Sequence, residues 1–277
     1  MIAEDSYRKH AFIYDSGNGM IDLGTLGGES TAYDINNKGQ VVGYSGIDTG
    51  YYVHAFIYDG DNGMTDLGTL GGDHSFAYGI NDAGQVAGHS SSDGPGSYHA
   101  FIYDGDNGMT DLGTLGGRDA YAYDINESGQ VVGASLISDS SGWHAFIYSD
   151  NGMTDLGTLG GTDSIAHGIN DAGQVVGRSQ ISGDDAYHAF LWDPVEGMFD
   201  LNDLMDPSSP YSWNYVYEKA LDINNLGQII AYCGLSGGGY SFRLEPVGAP
   251  VPVPTTMLLL VSGFLGLAAF RRTFRIK

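Results

Sequence analysis

Apolar residues fall along this chain in short, strand-sized runs, each closed by a cluster of Gly, Asn and Asp, and the same four runs return about every 45 residues. One run opens with His-Ala-Phe at His10, His54, His99, His144 and His188, spaced 44, 45, 45 and 44 residues apart, with a weaker sixth copy from Ser241 to Glu245. Asp-Leu-Gly-Thr-Leu-Gly-Gly follows from Asp22, Asp66, Asp111 and Asp155, and decays to Asp-Leu-Asn-Asp-Leu at Asp200. Ile-Asn-x-x-Gly-Gln comes next, at Ile35, Ile80, Ile125, Ile169 and Ile223, and runs on into Val-Val-Gly or a close variant. Turn clusters such as Asp59 to Gly63, Gly71-Gly72 and Asn81 to Gly84 separate the runs, so each unit predicts two β-hairpins. His54 to Tyr58 is nearly continuous in apolar character, as in a strand covered on both faces.

Four strands in such a period make the blade of a β-propeller; the alternative is a β-solenoid, whose coils are usually shorter. The expected architecture is all-β: a repeat-built propeller of about five to six four-stranded blades over residues 1–246, plus one C-terminal transmembrane-type helix. The chain opens at a His-Ala-Phe strand and ends its repeats after the equivalent strand at Phe242, so one blade is incomplete. Either the strand near Met20 completes the last blade and the first strand is surplus, or residues before Met1 would begin a sixth. Truncation before Met1 is the expectation, because Met1 to Lys9 lacks the basic and apolar regions of a signal peptide that the other end of the protein calls for.

Composition agrees with strands and turns: 44 Gly, 19 Tyr and 11 Phe in 277 residues, with 16% charged residues. Charge is lopsided, since all 34 acidic side chains precede Pro246 whereas four of eleven basic ones (Arg271, Arg272, Arg275, Lys277) crowd the last seven positions. The repeat region thus holds 7 basic against 34 acidic side chains, a balance of −27 that repels nucleic acid. A single cysteine, Cys233, rules out an internal disulfide, so packing must hold the body together.

The units resemble the bacterial extracellular HAF repeat, whose name is the His-Ala-Phe that recurs here, and the resemblance covers residues 10–246. It implies export and a repeat fold, and no defined biochemical role. The fifth unit departs from the pattern by an insertion around Asp206 to Tyr211 and Trp213, which predicts an enlarged loop. The tail resembles a PEP-CTERM sorting signal: Val251, Pro252, Val253 and Pro254 within a Pro-rich linker (247–256), an apolar run over 257–270, and a basic end (271–277) with Arg271 and Arg272. Valine stands at Val253 where that family's name places glutamate, making a Val-Pro-x-Pro variant. The resemblance implies an exosortase-type processing enzyme as partner and a place at the cell surface or outside it. Independently, an apolar run followed by arginines is a stop-transfer pattern that leaves the basic end cytoplasmic. From Thr255 the run has 16 residues, roughly 24 Å as a helix against a hydrocarbon core of about 30 Å.

Five equally spaced histidines invite the idea of a metal ring. A residue present in every unit has a task that every unit shares, whereas a catalytic site needs different residues converging from different units. His10, His54, His99, His144 and His188, with Asp22, Asp66, Asp111 and Asp155, are therefore read as structural, the aspartates bonding turn N–H groups. The Asp-Gly-Asp-Asn-Gly turns at Asp59 and Asp104 resemble the start of a calcium loop, but leucine stands at Leu70 and Leu115 where an EF-hand needs glutamate, so weak Ca2+ at most is implied and no other cofactor. Signatures of hydrolases, phosphate loops and zinc sites are missing. The leading expectation is a non-catalytic surface or matrix protein. The alternatives are a carbohydrate-binding module, requiring clustered aromatics such as Trp143, Trp192 and Trp213, and a propeller glycosidase or lyase, requiring non-repeated acids such as Glu196, Asp203 and Glu218. Extracellular polysaccharide is the ligand class both alternatives share.

Overall fold

The computed structural model describes residues 9–47, 51–92, 96–137, 142–183, 186–206, 216–235, 238–247 and 273–276. It is all-β. A hairpin of β1 (Phe12–Asp15) and β2 (Gly19–Asp22) is followed by five antiparallel four-stranded sheets. The first contains β3 (Gly27–Ile35), β4 (Val41–Ile47), β5 (Tyr52–Asp59) and β6 (Gly63–Asp66), and the second β7 (Gly71–Ile80), β8 (Val86–Ser92), β9 (Tyr98–Asp104) and β10 (Gly108–Gly113). A single parallel pair, Val53 with His74, joins these two. The third holds β11 (Gly116–Ile125), β12 (Val131–Ile137), β13 (Trp143–Ser149) and β14 (Gly152–Asp155). The fourth holds β15 (Gly160–Ile169), β16 (Val175–Ile181), β17 (Tyr187–Asp193) and β18 (Gly197–Asp200), and a 3-10 turn at Leu201–Leu204 follows it. The fifth holds β19 (Lys219–Ile223), β20 (Ile229–Leu235), β21 (Gly238–Val247) and β22 (Thr273–Ile276). Successive sheets pack face to face with their first strands against one another, the architecture of a β-propeller.

The repeated residues explain the repeated geometry. Glycine of Val-Val-Gly sits where strand two crosses strand one so closely that a Cβ at Gly43, Gly88, Gly133 or Gly177 would lie about 2 Å from a carbonyl oxygen. Phe56, Phe101, Phe146 and Phe190 of His-Ala-Phe are fully buried, each packed on the sheet before its own: Phe101, for example, meets Val42, Ala55 and Leu67. In each Ile-Asn-x-x-Gly-Gln turn the asparagine works on both sides. Asn126 Oδ1 accepts the N–H groups of Ser128 (3.1 Å) and Gln130 (3.0 Å), while its Nδ2 donates to Gln130 Oε1 (2.8 Å) and across to the Asn170 carbonyl of the next sheet (3.1 Å). The same cross-sheet bond runs from Asn36 to Asn81, from Asn81 to Asn126 and from Asn170 to Asn224, a ladder that ties the sheets in order.

Both ends of the arc show core positions to solvent. Phe12, the hairpin's counterpart of the buried phenylalanines, is 55% exposed, and Ile35 is 50% exposed where Ile80, Ile125, Ile169 and Ile223 are buried. On the far side Ile230 is 39% exposed although its counterparts Val42, Val132 and Val176 are fully covered. Among the described residues no cluster of buried side chains joins the fifth sheet to the hairpin.

The tail adds a strand that its sequence did not announce. Thr273–Ile276, expected within a cytoplasmic end at 271–277, forms the outer strand of the fifth sheet, with Val247 opposite Thr273 and Leu244 opposite Ile276. Phe274 is buried among Leu204, Met205 and Leu244, and its carbonyl accepts the Asp206 N–H at 2.7 Å. The physical reason is an open edge: in the other sheets the fourth strand follows the third directly, whereas here a segment distant in sequence takes that place, since unpaired N–H and C=O groups of an edge strand take whatever chain can pair. Val251, Pro252, Val253 and Pro254, the expected helix at 257–270, and Arg271 and Arg272 lie outside the described residues. Among the described residues no helix is long and apolar enough to cross a membrane.

Candidate functional site

The recurrent histidines and aspartates meet in pairs, one in the hairpin and one in each of the first four sheets. Nδ1 of His10, His54, His99, His144 and His188 lies 2.9, 2.8, 2.7, 2.8 and 2.5 Å from the carboxylate of Asp22, Asp66, Asp111, Asp155 and Asp200. A carboxylate only accepts, so each ring carries its proton on Nδ1. The other carboxylate oxygen accepts a turn N–H, from Gly24, Gly68, Gly113, Gly157 or Asn202 at 2.7–2.9 Å. Asp22 is held below the usual carboxylate range by the Gly24 N–H first and by His10 second. Each pair clamps strand three to the end of strand four, and the pairs do not converge: among the described residues no group of three His, Cys, Asp or Glu side chains is placed to hold a metal. In the turns at Asp59 and Asp104 the carboxylates are engaged by Asn62 and Asn107, whose N–H groups donate at 2.6 and 2.7 Å.

The residues that converge lie at one position of each first strand. In every sheet the pairing of strands one and two shifts by a residue just before the Ile-Asn turn, between Ala32 and Asp34, Ala77 and Gly79, Ala122 and Asp124, Ala166 and Gly168, and Ala220 and Asp222. The bulged residue is left unpaired, and a bulge re-aims its side chain. Those residues are Tyr33, Tyr78, Tyr123, His167 and Leu221. Because first strands adjoin, the first four form a row: ring centroids are 4.8 Å apart for Tyr33 and Tyr78, 5.9 Å for Tyr78 and Tyr123, and 6.1 Å for Tyr123 and His167. A second row runs beside it, from Tyr44 to Phe76 (5.1 Å), His89 (5.0 Å), Tyr121 (4.6 Å) and Trp143 (5.2 Å, stacked). Tyr33–Tyr44 and Tyr78–His89 contacts link the rows into one aromatic band across four sheets.

The band is uncharged at neutral pH. Burial pushes His89 down to about 3 and His167 down to about 4, the charges of Arg178 and Lys219 adding to the second, and burial raises the phenols of Tyr78 and Tyr123. Nδ1 of His89 and Nε2 of His167 are buried without a hydrogen-bond partner, as is Nε of Arg178; such orphans are uncommon in folded proteins. Beside the bulges, Asp124 accepts the N–H of Ile169 in the next sheet and of Ile125 in its own, both at 2.8 Å, and Asp34 accepts that of Ile80 at 2.9 Å. Gly79 and Gly168 make room, since a Cβ there would press on Asp124 and Asp222. Burial raises Asp124 to about 7, with Asp222 and Asp34 contributing.

Where the band reaches the fourth and fifth sheets a pocket of about 620 Å³ opens, lined by Arg178, Tyr187, His188, Glu218, Lys219 and Tyr232 among others. Of the three non-repeated acids singled out in the sequence, Glu218 lines this pocket, while Glu196 and Asp203 are exposed in turns outside it. Trp143 belongs to the band, Trp192 packs against the core between the third and fourth sheets, and Trp213 lies outside the described residues. The bulge residues and Arg178 were not singled out from sequence; the available signal was their variation inside otherwise constant frames, Ala-x-Asp/Gly-Ile-Asn and Val-Val-Gly-x-Ser.

No known protein-family profile matches the chain, and no curated protein sequence does. Solved structures do resemble it. TolB from Acinetobacter baumannii superposes with a TM-score of 0.54 at 14% identity, over 84% of this chain and 56% of that one. This chain thus spans little more than half the length of that relative, and the likeness shows the fold alone. A gluconolactonase from Xanthomonas campestris covers 84% of this chain and 81% of its own at 10% identity, with a TM-score of 0.40.

Proposed function

We propose that this chain is a non-catalytic, exported binding propeller of the cell surface or extracellular matrix, whose aromatic band takes extracellular polysaccharide. One observation carries the reading: the bulged residues Tyr33, Tyr78, Tyr123 and His167, one from each of four successive sheets, form a continuous uncharged band of rings. Flat aromatic faces suit the apolar C–H faces of sugar rings. Among the described residues one carboxylate, Glu218, lines the pocket, where retaining and inverting glycosidases both use two.

Surface retention rests on the sorting signal at Val251, Pro252, Val253 and Pro254, on the apolar run and on Arg271 and Arg272, with an exosortase-type enzyme as the processing partner. Spanning by 257–270 and pairing of Thr273–Ile276 exclude each other in one molecule. A helix through a hydrocarbon core of about 30 Å delivers its far end to the opposite side, whereas Val247 and Thr273 face each other in one ladder. The anchored form therefore lacks β22. Membrane fractionation of the full chain and of a deletion from Val251, in a host that exports both, tests retention; affinity electrophoresis of the full chain in gels containing neutral and acidic polysaccharides tests binding. Equal membrane association of the two proteins contradicts the anchor, and migration unaffected by every polysaccharide contradicts the binding role.

A further inference from the structure

We propose that the pocket between the fourth and fifth sheets is a carboxylate subsite at the cationic end of the aromatic band, so that the polysaccharide bound is an acidic one built from sugar acids. The inference rests on the binding role above and names its ligand.

The positions concerned are those that carry the band elsewhere. Arg178 occupies the place of Tyr44 and His89 in the second strand, and Lys219 occupies the place of Phe76 and Tyr121 in the first. Each of the first three sheets presents at least one ring at these two places, whereas the fourth presents Arg178 and the fifth Lys219 beside Tyr232. Each cation stands over a ring: Arg178 Cζ is 4.7 Å from the Tyr187 centroid, and Lys219 Nζ is 5.0 Å from that of Tyr232.

In a chain of 34 acidic and 11 basic residues, an ion pair would be the ordinary fate of these two side chains. Among the described residues neither makes one, although Arg118 and Arg243 pair with Asp119 and Glu245. Glu218 also lines the pocket, but its carboxylate lies over the backbone of Gly234, where an added Cβ would come within 2.7 Å of Oε1. Among the described residues the pocket is lined by two cations and one carboxylate, with His188 turned to Asp200.

The Arg178 guanidinium lines the pocket, and its planar fork suits bidentate pairing with a carboxylate. The acidic body does not forbid an acidic ligand: at physiological ionic strength fields fade over about 8 Å, so contacts at hydrogen-bond distance outweigh distant repulsion.

The test compares the full chain, purified in mild detergent, with Arg178→Gln, Lys219→Gln and Glu218→Gln variants. The probes are polygalacturonate, its methyl ester, dextran and dextran sulfate, and thermal melting confirms folding. The wild type binds polygalacturonate at least tenfold more tightly than the methyl ester, dextran or dextran sulfate. Arg178→Gln loses about tenfold or more for polygalacturonate alone, as expected for a charge-assisted pair. Lys219→Gln loses less, and Glu218→Gln gains a few-fold. If Arg178→Gln destabilises the fold, Arg178→Lys, which keeps charge and loses the fork, must fall between. Equal affinity of the folded cation variants and the wild type for polygalacturonate, or wild-type preference for dextran sulfate, overturns the proposal. Binding of dextran but not polygalacturonate also overturns it while leaving the aromatic band in place, and binding of no polysaccharide removes both.

Discussion

The outer and inner strands of each sheet carry the same repeat and use it in opposite ways. At the outer edge, His99 and Asp111 recur nearly unchanged in every unit, and their bond stays within one sheet. On the inner strand a frame of Ala, Ile and Asn holds the bulged residue, and Tyr33, Tyr78, Tyr123 and His167 there touch from one sheet to the next. The clamp serves each blade by itself. The bulged positions join the blades into one surface.

The largest expected effect tests whether a repeated residue earns its place only beside a neighbour. Phe101→Ala should cost about 3–5 kcal/mol, because a fully buried ring leaves a cavity between two sheets. The same change at Phe12, 55% exposed, should cost less than about 0.5 kcal/mol. Equal losses in denaturant titrations would mean that the blades do not stabilise one another in sequence. The asparagine ladder comes next. Asn126→Ala strands the Ser128 and Gln130 N–H groups and should cost about 2–3 kcal/mol, whereas Asn224→Ala, at the exposed end of the ladder, should cost clearly less.

The pH dependence separates the inner strand from the outer edge. His89 binds its proton at about 3 in the fold and near 6.5 unfolded, so the unfolded chain takes up protons first and stability falls as pH drops below about 6.5. Asp124 acts with the opposite sign. Held protonated up to about 7 when its unfolded value is 3.8, it makes stability fall as pH rises from about 4 to about 7. His89→Phe should therefore flatten the acid side of a stability profile and Asp124→Asn the neutral side, as read from denaturation midpoints at pH 4, 5.5 and 7.5. The smallest effect belongs to the outer clamp: with Asp111 about 42% exposed, His99→Ala should cost roughly 0.5–1 kcal/mol and leave ligand binding unchanged.

Much of this was legible in the sequence. The 45-residue spacing of His-Ala-Phe and the turn clusters of Asp, Asn and Gly specify four-stranded units, because backbone turns need those residues at those places. The aromatic band was not, for its members lie in different units and become neighbours only when first strands adjoin; Tyr33 and Tyr78 are 45 residues apart in sequence and 4.8 Å apart in space. The bulge is equally hidden, since its extra residue looks like one more position of a regular strand. The last four strand residues were not legible as a strand for a different reason. Thr273, Phe274 and Ile276 are ordinary strand formers, but an apolar run and two arginines ahead of them suggest a membrane end, and the open edge of β21 is a property of the fold and not of their own sequence.

The central claim is that the inner residues set out by the bulge bind while the outer clamps and the asparagine ladder build. Its most direct measurement is the affinity of the full chain for acidic polysaccharide, taken beside the melting temperature, for wild type and a Tyr33→Ala, Tyr78→Ala pair. These rings are adjacent in the band, and Tyr33 is half exposed, so the predicted result is a loss of about tenfold or more in affinity with only a small shift in melting. Unchanged affinity in a folded double variant would contradict the account.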